Sequence, residues 1–271
     1  MAVLGVGLLG ASVLKAVAAR FPGTRRRAWS RSAASRAQAA AWAETAGSPA
    51  GACEGADIIV AACPVDSLGG LLADAAAGIA PAAMVTDVGS TKRGAHQASL
   101  ALPFPSRFAG SHPMAGSEKG GAGESRADLF EGRACIVTSV PATDADVPGL
   151  AEAFWRGLGS RVHRMDPMAH DAAVAEISHL PHAAASVLAA LLGSREPRVD
   201  LAAGGLRDTT RVAGGDPDLW VPILMENADH VAPLLAALAA GTEALREALE
   251  RGDARAIREI LARGRDFRKS L

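Results

Sequence analysis

The sequence predicts an α/β fold in its first half and an all-helical segment in its second. In the first half, short apolar runs alternate with stretches of helical composition, and after about Met165 runs of the strand type stop. Alternation of this kind is typical of a parallel sheet covered by helices on both faces. The 271 residues are 49% apolar, which is enough to fill a real hydrophobic core.

The elements of the first half follow one another in a regular order. The predicted strands are 2–5, 28–29, 57–62, 84–88 and 134–139. The predicted helices between them are 12–20, 33–46 and 67–77. We therefore expect a dinucleotide-binding type of sheet over residues 1–165.

The second half is rich in Ala, Leu, Glu and Arg and contains no convincing strand. The predicted helices are 169–192, 219–240, 242–251 and 254–267. The predicted boundary lies near Asp166, because Pro167 interrupts a strand but fits the first turn of a helix. The second domain is therefore expected over residues 166–271. Its nearly all-apolar stretch 231–240 predicts a homodimer, since one small domain cannot easily bury it.

Composition excludes several classes of function. With 28 basic and 29 acidic residues, the chain has no overall field to attract nucleic acid or an anionic membrane. It has no tyrosine, so a nicotinamide enzyme whose acid or base is a phenol is excluded. The three scattered cysteines predict neither a disulfide framework nor a metal site. The absence of a secretory or purely apolar 18-residue segment predicts a cytoplasmic protein.

A glycine fingerprint, GVGLLG at 5–10, stands where the first strand gives way to a helical pattern. In that position the glycines allow a tight turn, close approach of a pyrophosphate and packing of helix on strand. We therefore predict a Rossmann-type nicotinamide site. The predicted cofactor-binding residues are Gly5, Gly7, Leu8, Leu9 and Gly10, then Ser30, Arg31, Ser32 and Ser35, and then Pro64, Asp87 and Gly89.

The segment after the second strand favours NADP over NAD. Residues 11–43 contain no carboxylate that could accept a hydrogen bond from a ribose 2′-hydroxyl. Arg31 and the neighbouring serines instead offer donors that suit a 2′-phosphate. Because a missing carboxylate removes selectivity for NAD without proving a preference for NADP, NAD remains possible.

Four further segments carry polar residues in positions typical of an active site. They are DVGSTK at 87–92, GSHPMAGSEKGG at 110–121 with its histidine expected in a tight turn, SHLPH at 178–182, and RDTTR at 207–211 followed by Trp220. Together with the glycine fingerprint, they make the chain resemble the prephenate/arogenate dehydrogenase family of tyrosine biosynthesis. The resemblance runs from Gly5 to beyond Trp220.

The resemblance implies a role for each matching residue. Its chemistry is oxidative decarboxylation, in which hydride leaves the ring carbon that bears the hydroxyl and the ring carboxylate departs as carbon dioxide. His112 matches the histidine that accepts the hydroxyl proton, and Ser90 matches a serine that hydrogen-bonds both the hydroxyl and that histidine. Arg211 matches the arginine that pairs with the ring carboxylate. The other predicted substrate-binding residues are Ser117, Glu118, Ser178, His179, His182, Arg207, Asp208 and Trp220.

Several alternatives remain open at this point. The substrate is prephenate, arogenate or both. Another Rossmann-plus-helical hydroxyacid dehydrogenase is less favoured, because between Arg93 and Lys269 the sequence offers only Lys119 as a catalytic lysine. A binding protein that senses nucleotide without turnover is disfavoured by the presence of His112, Ser90 and Arg211. Nucleic-acid binding through residues 25–27 lacks both aromatic residues and overall positive charge.

Overall fold

The computed structural model describes residues 1–116, 120–195 and 198–271. The first half forms an eight-stranded sheet in the order β3-β2-β1-β4-β5-β6-β7-β8. The strands are β1 (Ala2–Leu4), β2 (Arg27–Trp29), β3 (Glu44–Thr45), β4 (Ile58–Ala61), β5 (Met84–Asp87), β6 (Phe108–Pro113), β7 (Ala134–Thr138) and β8 (Arg161–Met165). All neighbours are parallel except β6 and β7, which are antiparallel.

The sheet corrects the sequence predictions in two respects. It is mixed, not parallel throughout, because the chain enters β7 through a long loop in the opposite direction to β6. His112 lies in β6 opposite Ile136, not in a tight turn. The polar, proline-ended sequence of β6 disfavours a strand locally, so its pairing with both neighbours decides the conformation. The five predicted strands are confirmed to within about one residue, and β3, β6 and β8 were missed.

Helices cover both faces of this sheet. They are α1 (Leu8–Arg20), α2 (Ala33–Ala39), α3 (Pro49–Cys53), α4 (Leu68–Ala75), α5 (Arg93–Ala98) and α6 (Val147–Gly157). Because successive side chains of a strand point to opposite faces, β1 contributes Val3 to one core and Leu4 to the other. Trp155 of α6 lies in the first core and Leu72 of α4 in the second, and both are fully buried.

The second half is helical, as predicted. Its elements are α7 (Pro167–Val174), a π-helical turn (Ala175–His179), α8 (Leu180–Gly193), α9 (Gly204–Thr210), α10 (Pro217–Glu226), α11 (Ala228–Glu250) and α12 (Ala254–Lys269). Pro167 occupies the first turn of α7, and the Asp166 side chain caps that turn by accepting from two backbone N–H groups. The break predicted at Gly241 falls instead at Asn227, whose buried side chain is bound from α7 and the π turn.

The helices of the second half bury few of their side chains. Within the described residues, α12 buries none and α11 buries only Val231 and Ala248. The run Pro167–Gly193 is the single described helix whose length and apolar composition would allow it to cross a membrane. This is weak evidence, because core helices of water-soluble proteins share both properties.

Candidate active site

The turn between β1 and α1 has the geometry of a nucleotide cradle. Gly5 has φ +103°, and a Cβ there would lie 2.1 Å from the carbonyl oxygen of Ala62. A Cβ on Gly10 would lie 2.0 Å from the Gly5 oxygen, so α1 packs on the strand only because both positions are glycine. Gly7, the N-cap of α1, faces open space and no side chain caps the helix. These backbone N–H groups fit a pyrophosphate.

A cleft of about 730 Å³ extends from this turn along the ends of β2 and β4. Of the predicted cofactor-binding residues, it is lined by Gly5, Gly7, Ser30, Arg31, Ser32, Ser35 and Pro64. Leu8 and Leu9 lie in the first turn of α1, beside the cleft. The exposed side chain of Arg31 makes no hydrogen bond or ion pair with the described part of the chain, whereas the Arg36 guanidinium donates to the backbone carbonyls of Ser30 and Arg31.

Asp87, predicted to contact the cofactor, has its carboxylate occupied within the protein. It forms a buried ion pair with Lys92 and accepts hydrogen bonds from the N–H groups of Gly89 and Ser111 at 2.8 and 2.9 Å. Lys92 also donates to the Ser111 carbonyl at 2.8 Å. Every polar atom of this pair therefore has a partner, and the pair fixes the segment before α5 against β6. We assign Asp87 this structural role.

His112 is the first member of a buried chain of hydrogen bonds. Its Nδ1 lies 2.9 Å from Nε2 of His170, and Nδ1 of His170 lies 2.7 Å from Oδ1 of Asp171. His170 and Asp171 are fully buried in α7, and His112 is 8% exposed. The chain thus joins a strand of the first half to a helix of the second.

Burial and the neighbouring charges keep Asp171 ionised and His112 neutral. Burial lowers the pKa of His112 well below its ordinary value of 6.5, and His170, Lys92 and His179 lower it further. Burial alone would raise the pKa of Asp171, but hydrogen bonds from His170 and from the backbone of Arg93 and Lys92 hold it at about 2. A neutral imidazole at pH 7 can accept a proton from a substrate hydroxyl.

Arg93, at the start of α5, joins the two halves of the chain. Its guanidinium contacts Asp171 at 3.1 Å, Asp229 at 2.6 Å and the side-chain oxygen of Asn227 at 3.1 Å. The hydrogen bond that Arg93 donates to Asp229 is the main cause of its raised pKa. Thr91, close by, donates to Glu226 of α10. The segment after β5 is therefore tied directly to α7, α10 and α11.

Trp220 organises a second part of the site on the helical half. His182 stacks on its ring at a centroid distance of 3.5 Å, and His179 meets it edge-on at 6.0 Å. A small pocket of about 160 Å³ lies here, lined by Ile177, Ser178, Pro181, His182, Val212 and Trp220. The predicted residues Ser178, His182 and Trp220 are thus brought together.

His179 connects this pocket with the His112 chain. Its Nδ1 lies 3.1 Å from the side-chain nitrogen of Asn227, which also donates to the Asp171 carbonyl at 2.8 Å. Burial lowers the pKa of His179 to about 4. Its Nε2 is buried and has no partner within the described residues. This nitrogen is therefore a candidate contact for a ligand held between the two halves.

The remaining predicted residues are less enclosed. Arg207 and Asp208 are exposed on α9, and the exposed Arg211 begins the short 3₁₀ turn Arg211–Gly214 that borders the Trp220 pocket through Val212. Ser90 is partly buried and makes no side-chain hydrogen bond within the described residues. Its predicted bond to His112 is therefore not formed, and Nδ1 of His112 is held by His170. Ser117 and Glu118 lie outside the described residues.

Sequence reasoning missed His170, Asp171 and Asn227. All three are buried and hydrogen-bonded around His112 and His179. The sequence offered one weak signal for them: a histidine and an aspartate three and four residues after Pro167, on a helix that is otherwise apolar. That pattern predicts nothing until a partner on another element is known.

Comparison with known proteins agrees with this arrangement. Residues 22–164 match the family model for the prephenate dehydrogenase nucleotide-binding domain, and residues 166–263 match that for the prephenate dehydrogenase dimerization domain. A cyclohexadienyl dehydrogenase from Zymomonas mobilis is 30% identical over 93% of this chain and 89% of its own length. The prephenate dehydrogenase of Bacillus subtilis is 33% identical over 80% of this chain, but the match spans only 60% of that protein.

Solved structures show the same similarity over almost the whole chain. The prephenate dehydrogenase of Aquifex aeolicus, in complex with hydroxyphenyl propionate and NAD⁺, superposes with a TM-score of 0.91 and is 27% identical, covering 99% of this chain and 96% of that one. The arogenate dehydrogenase of Synechocystis gives a TM-score of 0.81 at 26% identity, covering 99% and 98%.

Proposed function

The chain belongs to the prephenate dehydrogenase family, and we propose that it catalyses the oxidative decarboxylation of prephenate, of arogenate, or of both. The observation that carries this proposal is the buried, neutral His112 near the end of β6, at the same edge of the sheet as the nucleotide cradle that follows the parallel strand β1. When bound in the cleft, the nicotinamide ring supplies the acceptor for hydride. The remaining chemistry falls to the side chains of this chain.

His112 is the proton acceptor in this proposal. Its Nδ1 is engaged by His170, which leaves Nε2 for the substrate hydroxyl. As hydride leaves the ring carbon, the hydroxyl proton passes to Nε2, the bond from the ring to its carboxylate breaks, and that pair of electrons completes the aromatic ring. Ser90, which follows β5, is proposed to bind the same hydroxyl. A positioned base of this kind contributes ~10²–10⁴-fold to turnover.

The substrate carboxylates are proposed to bind on the helical half. Arg211 is the proposed partner of the ring carboxylate, because a planar guanidinium binds a carboxylate with two parallel hydrogen bonds. The pocket of Ser178, His182 and Trp220 is the proposed site for the side chain that distinguishes prephenate from arogenate. His179, Arg207, Asp208, Ser117 and Glu118 complete the proposed substrate-binding set.

We propose NADP as the preferred cofactor, with NAD as the alternative. The support is Arg31, which lines the cleft together with Ser30, Ser32 and Ser35 at the end of β2. Two carboxylates, Asp66 and Asp74, also line the cleft, but they come from the α4 side and not from the end of β2. Membership of the family and the NAD⁺ complex of the Aquifex aeolicus enzyme support a nicotinamide cofactor.

We also propose a homodimer built through the helical half, with the domain boundary between residues 165 and 166. The apolar stretch 231–240 is largely exposed along α11, which favours a second copy as its cover. The boundary is supported by the end of β8 at Met165 and the start of α7 at Pro167, where the two family models also meet.

Purified protein assayed on prephenate and arogenate, each with NADP and with NAD, tests the proposal. We expect reduced cofactor and carbon dioxide from at least one substrate, and a lower KM for NADP than for NAD. His112→Ala should lower turnover by at least ~10²-fold while cofactor affinity stays unchanged. Binding of cofactor without turnover of either substrate would overturn the proposal in favour of a nucleotide-binding protein.

A further inference from the structure

We propose that His170 is a positioning residue for the proton acceptor: together with Asp171 it holds His112 in the tautomer that presents an unprotonated Nε2 to the substrate. The role in turnover rests on the proposed function, whereas the tautomer itself is a property of the folded protein.

Asp171 is the fixed end of the chain. Its Oδ1 accepts from the N–H of Lys92 at 2.7 Å, and its Oδ2 accepts from the backbone N–H and the Nε of Arg93 at 3.0 and 3.1 Å. Four donors, counting His170, converge on one buried carboxylate, and such a group stays ionised. An ionised carboxylate can only accept, so Nδ1 of His170 carries the hydrogen.

The position of the hydrogen on His170 determines which ring nitrogen of His112 is protonated. Burial lowers the pKa of His170, so its ring is neutral at pH 7 and its Nε2 has no hydrogen. The 2.9 Å contact between that Nε2 and Nδ1 of His112 is then a hydrogen bond only if Nδ1 of His112 is the donor. A neutral His112 with its hydrogen on Nδ1 has its lone pair on Nε2. The position of a histidine hydrogen is inferred in this way from the hydrogen-bond partners of the ring nitrogens.

The same chain stabilises the charge that forms during turnover. When Nε2 of His112 takes the hydroxyl proton, the ring becomes a buried cation. The groups that act on it electrostatically are Lys92 before α5, His170 and Asp171 of α7, and His179 of the π turn. Of these, Asp171 alone is negative, and the charge of Lys92 is paired with Asp87. Loss of the hydrogen bonds from His112 to Asp171 should therefore lower kcat more than it weakens substrate binding.

Two substitutions of His170 separate positioning from packing. His170→Phe keeps a ring in this fully buried position but removes the acceptor. His170→Gln fills the space less well, yet its side-chain carbonyl can accept from Nδ1 of His112. His96→Gln is the control, because His96 is a partly buried histidine whose hydrogen bond, to Thr138, is not part of the series from His112 to Asp171.

We expect kcat to fall by ~10²-fold in His170→Phe and by less than ~10-fold in His170→Gln, with KM for the substrate and Kd for the cofactor within about threefold of wild type. His96→Gln should keep wild-type kcat. A merely structural role would give the opposite order, with Phe tolerated better than Gln. That order would overturn the proposal.

The tautomer is measured directly by NMR of protein labelled with ¹⁵N in its histidine rings. We expect the His112 signal of the wild type to show a protonated Nδ1 and an unprotonated Nε2, and this preference to be lost in His170→Phe. A wild-type ring protonated at Nε2 would overturn the proposal even if no variant folds. Because this measurement needs no substrate, it stands or falls independently of the proposed activity.

Discussion

The two halves of the chain differ in how they are stabilised. Within the described residues, both hydrophobic cores are built from the sheet and its helices, and neither includes a residue beyond Val162. The helical half has long regular helices, yet α9 and α12 bury no side chain and α11 buries two. The first half therefore has a core of its own, whereas the second leaves much of its helix surface exposed, which the proposed second copy would cover.

The strongest test of this difference places a charge on the exposed apolar face of α11. Leu238→Glu introduces a carboxylate at a half-exposed leucine, where a dimer would bury it without a partner. A buried unpaired charge costs roughly 3–5 kcal/mol, or about 10²- to 4 × 10³-fold in the dimer Kd. Light scattering coupled to size exclusion should show a monomer at concentrations where the wild type is a dimer.

The matched control for that variant lies on the first half. Leu100→Glu changes a leucine that is 62% exposed, outside both cores and on the face of the sheet domain. It should leave the oligomeric state unchanged. If Leu238→Glu remains a dimer, the helical half is covered through another surface.

The first half, which has its own core, can be tested by crowding the close backbone approach at its glycine turn. Gly10→Ala places a methyl group 2.0 Å from the Gly5 oxygen and pushes α1 away from β1. Overpacking of this kind costs roughly 1–3 kcal/mol, and we expect cofactor Kd to rise by about 10- to 100-fold. Fluorescence titration with reduced cofactor measures it. Gly23→Ala, where a Cβ meets nothing within 4 Å, should bind as wild type does.

A smaller effect is expected at the end of β2. Arg31→Ala should raise KM for NADP by about tenfold and leave KM for NAD unchanged, since a single charge-assisted contact to phosphate contributes ~1.5–3 kcal/mol at most. Arg36→Ala is the comparison variant, because that guanidinium is held by two backbone carbonyls. Equal effects of Arg31→Ala on the two cofactors would contradict a 2′-phosphate contact.

A further expected effect is a dependence of stability on pH that involves both halves. Burial lowers the pKa of His96 in the first half and of His179 in the second to about 4. Below pH 6.5 the unfolded chain protonates both rings while the folded protein does not, so the free energy of unfolding falls as pH drops from 6.5 towards 4. Calorimetry should show uptake of about one proton per histidine on unfolding.

Two variants measure separately how much His96 and His179 contribute to the pH dependence of the free energy of unfolding. His96→Gln should remove the contribution of His96, which lies in the first half, and His179→Gln that of His179, which lies in the second. If the halves unfold together, each variant reduces the slope of one common transition. If they unfold separately, each variant changes only its own transition, which would sharpen the contrast between the two halves.

Local sequence patterns predicted the parts of the fold that depend on local chemistry. The strands that alternate with helices, the glycine turn and Pro167 at the start of α7 all follow from neighbouring residues. β6 and β8 do not, because one is polar and proline-ended and the other is largely exposed at the sheet edge. Their conformation comes from pairing with strands distant in sequence.

The same limit applies to the candidate site. His112 was predicted as a site residue because its segment resembles the prephenate/arogenate dehydrogenase family. His182 and Trp220 were predicted from the same resemblance. His170 was not, because its importance arises from a contact with a residue 58 positions away. Asn227 was missed for a similar reason: its side chain binds His179 and the Asp171 backbone across the helical half.

The position of Arg93 has a consequence for how the molecule moves. One guanidinium from the sheet domain contacts four side chains of the helical half, and the buried hydrogen bonds from His112 to Asp171 cross the same junction. A hinge-like rotation of one half against the other would break all of these contacts at once. Turnover is therefore not expected to depend on a domain closure, and its rate should change little with solvent viscosity.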